Sequence, residues 1–296
     1  MIHTLNLANP KNSLIEFTVS RFPDGQQSLT LSGNVYLLGN EVTIASRLNS
    51  FLDLEVIICA TQALKEAGAS RINLYIPYCI GARSDRKFSE GGFNYVKTVI
   101  APIINSQGYS WVKVLDPHSD VLEACINNFS KVNNFALVKD ALTKIDNRDG
   151  AQDRIVLVSP DAGAYKKVFD VAKEFNIDNI VTATKVRDLK TGQILKTEVP
   201  NLPVSVKEEE FKYVIVDDIC DGGRTFIELA KAIKEIRPNA EIYLVVTHGI
   251  FSGGFDELRE YFNGIYTTNS IGDFYGVDAP STSKPITFKQ LNLFGI

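Results

Sequence analysis

Short apolar runs recur along this chain, each closed by a polar cluster, with stretches of helical periodicity between them. Residues 72–76, 111–115, 155–158, 180–183, 213–216 and 242–246 are four or five residues long and rich in branched side chains. That length and composition predict strands buried on both faces. Residues 55–67 and 165–175 read as helices, and a further helix is predicted to begin after Thr225. Strand and helix in alternation predict an α/β fold with mainly parallel sheets flanked by helices. In such sheets ligands collect at the carboxyl ends of the strands, and here polar residues stand at that end of nearly every predicted strand. Residues 127–152 lose the rhythm and hold the turn-prone Asp146-Asn147-Arg148-Asp149-Gly150. A domain boundary is therefore expected near residue 140, giving 1–140 and 141–296. Residues 189–210, with Thr191-Gly192, two prolines and Lys207-Glu208-Glu209-Glu210, read as a loop or hairpin of the kind that closes over sites.

Composition narrows the class. With 296 residues, 45% hydrophobic and 22% charged, the chain has room for two ordinary domains. A formal net charge of −4 argues against a nucleic-acid binder that relies on a broad positive surface. Cys59, Cys79, Cys125 and Cys220 are widely spaced, as reduced thiols in a cytoplasmic protein would be. No apolar stretch approaches the length of a membrane span, and no leader is evident.

The richest segment is 211–230. Its apolar run is expected to end at Asp217 and Asp218, followed by the turn Asp221-Gly222-Gly223-Arg224-Thr225 and a helix. A strand–loop–helix junction of this kind favours an anion through free N–H groups and the helix dipole, and the acid pair suits sugar hydroxyls or a bridging metal. The P-loop spacing is absent. Arg83-Ser84-Asp85-Arg86-Lys87, between Gly81 and Gly91-Gly92, reads as a polyphosphate loop or a solvated charge run. Asp116-x-His118-x-Asp120 places three potential ligands on one side if the chain stays extended. With only three histidines in the chain, hard oxygen donors and one imidazole suit magnesium carried on phosphates better than zinc; a loop histidine in an ordinary hydrogen bond is the plain alternative. His248 reads equally as a site or a core residue. Lys185-x-Arg187 offers cations to a transferring phosphoryl group or is a solvated pair.

Six motifs in order resemble those of the ribose-phosphate diphosphokinase (phosphoribosyl pyrophosphate synthetase) family. They are Arg21-Phe22-Pro23-Asp24-Gly25, the stretch from Ile76-Pro77-Tyr78 to Arg83-Ser84-Asp85-Arg86-Lys87, Asp116-Pro117-His118-Ser119-Asp120, Ser159-Pro160-Asp161-Ala162-Gly163, Lys185-Val186-Arg187, and the segment from Asp217 to Thr225. The resemblance implies two tandem phosphoribosyltransferase-like domains, the first on the ATP side and the second on the ribose-phosphate side. It implies transfer of the β,γ-diphosphoryl group of Mg-ATP to the anomeric hydroxyl of ribose 5-phosphate, releasing AMP, in a cytoplasmic homo-oligomer, dimer or hexamer. By the same resemblance Phe22, Asp24 and Gln26 reach ATP held mostly by a neighbouring subunit, and Arg83, Ser84, Asp85 and Arg86 bind ATP. His118 and Asp161 serve Mg2+, and Lys185 and Arg187 stabilise the transferring group. Asp217 and Asp218 hold the ribose hydroxyls, and Asp221, Gly222, Gly223, Arg224 and Thr225 take the 5-phosphate.

Three departures stand out. Arg224 replaces a small residue of the phosphate loop, Ser84 a usual glutamine, and Gln26 a usual glutamate. The cation of Arg224 suggests an acceptor with more negative charge, a 5-substituted ribose such as ADP-ribose. A non-catalytic regulatory homologue would lack Lys185, Arg187 or His118, and all are present. A phosphoribosyltransferase consuming phosphoribosyl pyrophosphate would explain 217–225 alone.

Overall fold

The computed structural model describes residues 2–33, 37–148, 150–187, 194–200, 202, 211–278 and 285–295, with the side chains of Ile2, 185–187 and 194–196 left out of the description. These residues divide into two compact units, Met1–Asn133 with Asn292–Ile296, and Asn134–Leu291.

Unit 1 begins with β1 (Ile2–Asn6) and the antiparallel hairpin β2 (Phe17–Arg21) and β3 (Gln27–Leu31). It continues through β4 (Glu41–Ala45), α1 (Phe51–Glu66) and β5 (Arg71–Tyr75) to α2 (Ala101–Ser106), β6 (Val112–Leu115), α3 (Val121–Cys125) and β7 (Phe129–Val132). The sheet is five-stranded in the order β1-β4-β5-β6-β7, and every pairing is parallel. Helix α1 starts where it does because Ser50 and Asp53 form a reciprocal cap: the Asp53 N–H donates to Ser50 Oγ, and the Ser50 N–H to Asp53 Oδ2. Its buried residues Leu54, Ile57, Ala60, Thr61 and Leu64 fall three and four apart, the stripe that a helix packed on a sheet requires. Residues from the far end of the chain complete this unit. Phe294 is buried, its carbonyl accepts the Asn6 side-chain amide at 3.0 Å, and the Arg47 guanidinium lies 5.3 Å from its ring centre.

Unit 2 runs from α4 (Phe135–Ile145) and α5 (Ala151–Arg154) through β8 (Ile155–Ser159), α6 (Tyr165–Phe175), β9 (Ile180–Thr182) and the antiparallel ribbon β10 (Thr184–Arg187) and β11 (Ile194–Glu198). Then come β12 (Lys212–Cys220), α7 (Arg224–Ile236), β13 (Glu241–Gly249), α8 (Asp256–Tyr261), β14 (Gly264–Thr268) and β15 (Thr287–Leu291). Six parallel strands are ordered β15-β14-β13-β12-β8-β9. Side chains alternate across β12: Tyr213 and Ile215 enter the core shared with α7, whereas Val214 and Val216 enter the core shared with α4 and α6. A sheet covered on both faces explains why these strands read as unbroken apolar runs. No described helix is long and apolar enough to cross a membrane.

Two expectations need correction. The run 213–216 does not end at the acids: β12 continues through Asp217 and Asp218 to Cys220, because β13 keeps pairing with it as far as Cys220 opposite Gly249. Likewise β13 continues through Thr247 and His248. The backbone ladder is indifferent to side-chain polarity, so acids at these positions do not terminate it.

Candidate functional site

The topology of unit 2 creates one crevice. From β8 the chain passes through α6 outward to β9, whereas from β12 it passes through α7 to β13 on the other side. Since β8 and β12 are neighbours, their carboxyl ends form a switch point, where ligands of open α/β sheets bind. In unit 1, β4, β5, β6 and β7 follow one another in a single direction, without such a reversal. The β12–β8 ladder stops at Ile215 opposite Val158, so Val216–Cys220 extends beyond its β8 partner.

Asp217 and Asp218 stand on that extension. Asp218 is buried, and Lys167 from the first turn of α6 places Nζ 3.4 Å from its Oδ2. Burial, the neighbouring Asp218 charge and a hydrogen bond with that carboxyl hold Asp217 well above the ordinary carboxylate range. The Asp218 N–H, donating to Asp217 Oδ1 at 2.8 Å, and the Lys167 charge pull the other way. The result is an acid pair in which Asp217 is harder to ionise than an exposed carboxyl.

Across the crevice, Asp161 folds its own loop. Its Oδ1 accepts the N–H groups of Gly163 at 3.0 Å and Ala164 at 3.2 Å, and Ser159 Oγ donates to its carbonyl at 2.7 Å. Beyond the acids, Gly223 at φ 82° turns the chain into α7, so Arg224 is the first helical residue and not part of the loop as expected. Arg224 and Thr225 are exposed, and the N–H groups of Gly222, Gly223, Arg224 and Thr225 form no hydrogen bond within the described residues. Open donors at the positive end of a 13-residue helix make an anion cradle. The 250–254 loop backs it: Ser252 Oγ donates to Asp221 Oδ1 at 2.6 Å, and a Cβ on Gly253 would lie 2.7 Å from the Gly222 carbonyl oxygen. Lys185 and Arg187 stand on β10, opposite Thr197 and Ile194 of β11, with a register shift between Val186 and Arg187. Strand β11 packs against α7. Of the expected lid at 189–210, residues 194–198 form strand β11, whereas 189–193, 201 and 203–210 lie outside the described residues.

In unit 1, Phe22, Asp24 and Gln26 form the exposed tip of the β2–β3 hairpin, closed by the Gln26 N–H to Asp24 Oδ1 at 3.1 Å and Gly25 at φ 102°. In the 83–87 loop Arg83, Ser84, Arg86 and Lys87 are exposed and Asp85 is buried. The loop is held by the Tyr95 N–H to the Ser84 carbonyl at 2.9 Å and by the Asn94 side-chain amide to the Asp85 carbonyl. A Cβ on Gly81 would lie 2.3 Å from the Tyr95 ring, so only glycine permits this approach. Asp85 Oδ1 lies 3.4 Å from Arg86 Nε and accepts no hydrogen bond within the described residues. After β6 the chain does not stay extended: Asp116 takes φ 41° and is buried, His118 is half-buried and Asp120 exposed. The three-ligand comb expected of Asp116, His118 and Asp120 is therefore absent.

Among the described residues no three His, Cys, Asp or Glu side chains gather as a metal cage. The donor set fits a magnesium carried chiefly by substrate phosphates, with single contacts from the protein. Burial pushes the Cys79 and Cys220 thiols up to about 12, which removes them as nucleophiles near neutral pH. His248 is a buried residue whose Nδ1 lies 2.9 Å from Ser270 Oγ, a hydrogen-bonded core histidine. Lys167 and Ser252 were not singled out from sequence. A cation in the first turn of α6 was the available signal for Lys167, whereas Ser252 gave none.

A model of the phosphoribosyl transferase domain matches residues 128–271. Ribose-phosphate pyrophosphokinase of Vibrio vulnificus is 31% identical over 246 residues, spanning 81% of this chain and 73% of the relative. The enzyme of the same name from Thermococcus kodakarensis is 26% identical over 269 residues, spanning 90% and 89%. The crystal structure of phosphoribosylpyrophosphate synthetase from Mycobacterium smegmatis shares the fold at a TM-score of 0.76 and 17% identity, covering 99% of this chain and 95% of that one.

Proposed function

Because the chain belongs to the ribose-phosphate pyrophosphokinase family, we propose that it transfers the β,γ-diphosphoryl group of ATP to the anomeric hydroxyl of ribose 5-phosphate. The products are phosphoribosyl pyrophosphate and AMP. The observation that carries this reading is the switch-point crevice, where an acid pair and an open N–H cradle lie along one strand–loop–helix segment. The cradle at Asp221–Thr225 takes the 5-phosphate, and Asp217 and Asp218 receive the ribose hydroxyls. The anomeric oxygen then attacks the β-phosphorus, its proton passes to water, and the bond from that phosphorus to the oxygen retained by AMP breaks. Transfer of this kind depends on positioning and charge. Arg83, Ser84, Asp85 and Arg86 hold the ATP, and Lys185 and Arg187 meet the transferring group. Phe22, Asp24 and Gln26, on an exposed hairpin, serve the ATP of a neighbouring copy in a dimer or hexamer. His118 and Asp161 would be the protein's contacts to magnesium, which supplies charge neutralisation at the phosphates.

A second acceptor is favoured by one feature. Arg224, exposed at the first position of α7, adds a cation beside the cradle that suits the second phosphate of ADP-ribose. Incubating the protein with Mg-ATP and each acceptor, and following AMP, tests both readings. AMP release with ribose 5-phosphate alone would retain the first and remove the second. Replacing Lys185 by Ala should cut turnover by about a hundredfold or more with ATP binding intact; unchanged turnover would remove Lys185 from the mechanism.

A further inference from the structure

Lys167 breaks a local rule of helix electrostatics. Helix α6 carries Lys166 and Lys167 in its first turn and no acidic residue there, although the positive end of a helix favours carboxylates and disfavours cations. Lys166 is exposed, as a tolerated surface charge would be. The Lys167 side chain is only 21% exposed and reaches the 7%-exposed side chain of Asp218. Violations of a local preference concentrate at functional positions, and this one points a cation into the crevice.

We propose that Lys167 is a positioning residue for the acceptor, fixing the orientation of Asp218 within the acid pair that receives the ribose hydroxyls. The inference rests on the sugar-binding assignment of Asp217 and Asp218 above. A vicinal diol offers two hydroxyls, each of which both donates and accepts. Two carboxylates in identical states would compete for the same donors. With Asp218 held in one orientation by the Lys167 ammonium, it meets one hydroxyl, and Asp217, which is harder to ionise, meets the other. Without the lysine, the buried Asp218 loses this cationic contact and the pair loses its fixed order.

The test titrates ribose 5-phosphate and ADP-ribose calorimetrically into the wild type, Lys167→Met, Lys167→Arg, Asp218→Asn and the Lys167→Met/Asp218→Asn double variant, with AMP release from Mg-ATP in parallel. Lys167→Met should weaken the tighter-binding acceptor about tenfold or more, and raise its KM alike, with the KM for ATP unchanged. Lys167→Arg should recover most of the loss. In the Asp218→Asn background the lysine change should add nothing, since it acts through that carboxylate. That background also removes the buried carboxyl the lysine contacts, so the double variant can fold even where Lys167→Met cannot. Unchanged acceptor affinity in folded Lys167→Met, or fully additive losses in the double variant, would overturn the assignment. Acceptor binding by the wild type without AMP release would overturn the diphosphoryl transfer alone.

Discussion

Asp217 is the residue whose charge state responds most directly to the crevice. Its carboxyl sits above the ordinary range mainly through desolvation at its half-buried position, and then through the neighbouring Asp218 charge. Folding therefore carries a cost for ionising it. That cost is absent below the unfolded carboxylate range, about pH 4, grows as pH rises through the folded value, and is full above it. Asp217→Asn should accordingly melt higher than the wild type at alkaline pH, with the gap closing towards about pH 4, while acceptor affinity falls. A melting difference independent of pH would contradict this account. Asp146 has the opposite sign. Arg148 and Arg154 hold it well below the ordinary carboxylate range, through bonds of 2.9 Å to Arg148 Nε and 2.9 Å to Arg154 Nε. Its stabilisation is complete above about pH 4 and is lost as pH falls through the folded value. Asp146→Asn should cost about 1.5–3 kcal/mol near neutral pH, read by urea denaturation, and less in acid. Individual residues were unevenly legible. The acids of 217–225 announce themselves by type and spacing. The partnership of Lys167 with Asp218 joins positions 51 apart, and nothing local distinguishes that lysine from Lys166. The left-handed turn at Asp116 is equally hidden, because aspartate is compatible with an extended chain too.

At the scale of elements, the cradle depends on the start of α7. Gly223 combines φ 82° with a Cβ direction that meets Leu258 at 3.2 Å. Gly223→Ala should cost about 1–2 kcal/mol from backbone strain and should raise the acceptor KM more than the ATP KM. Equal effects on both would mean that the turn does not shape the acceptor half. Helix α6 was readable from sequence, since Val168, Val171 and Ala172 form its buried face at helical spacing. Strands β12 and β13 were read short because hydrophobic patterning follows side-chain type, whereas their carboxyl ends carry the polar Asp217, Asp218, Thr247 and His248 within a ladder that still pairs. The β2–β3 hairpin went unread because β2 is mostly exposed, which erases the two-residue alternation.

Over the whole molecule, two parallel sheets of five and six strands carry different loops at their carboxyl ends. Alternating strands and helices made that architecture visible. The return of residues 292–295 to unit 1 was not, since a short apolar segment does not say which core it joins. Replacing Phe294 by Ala should lower the stability of unit 1 by about 3–5 kcal/mol, seen as an earlier urea transition. A shift of less than about 1 kcal/mol would show that this ring adds little to the packing. The return also dictates an order of events during translation. Unit 2, encoded within unit 1, is synthesised entirely before the piece that completes unit 1. On the ribosome, the amino-terminal unit must wait with Asn6, Tyr75 and Arg47 uncovered while its successor is made. The later-encoded unit is thus the first to have all of its residues.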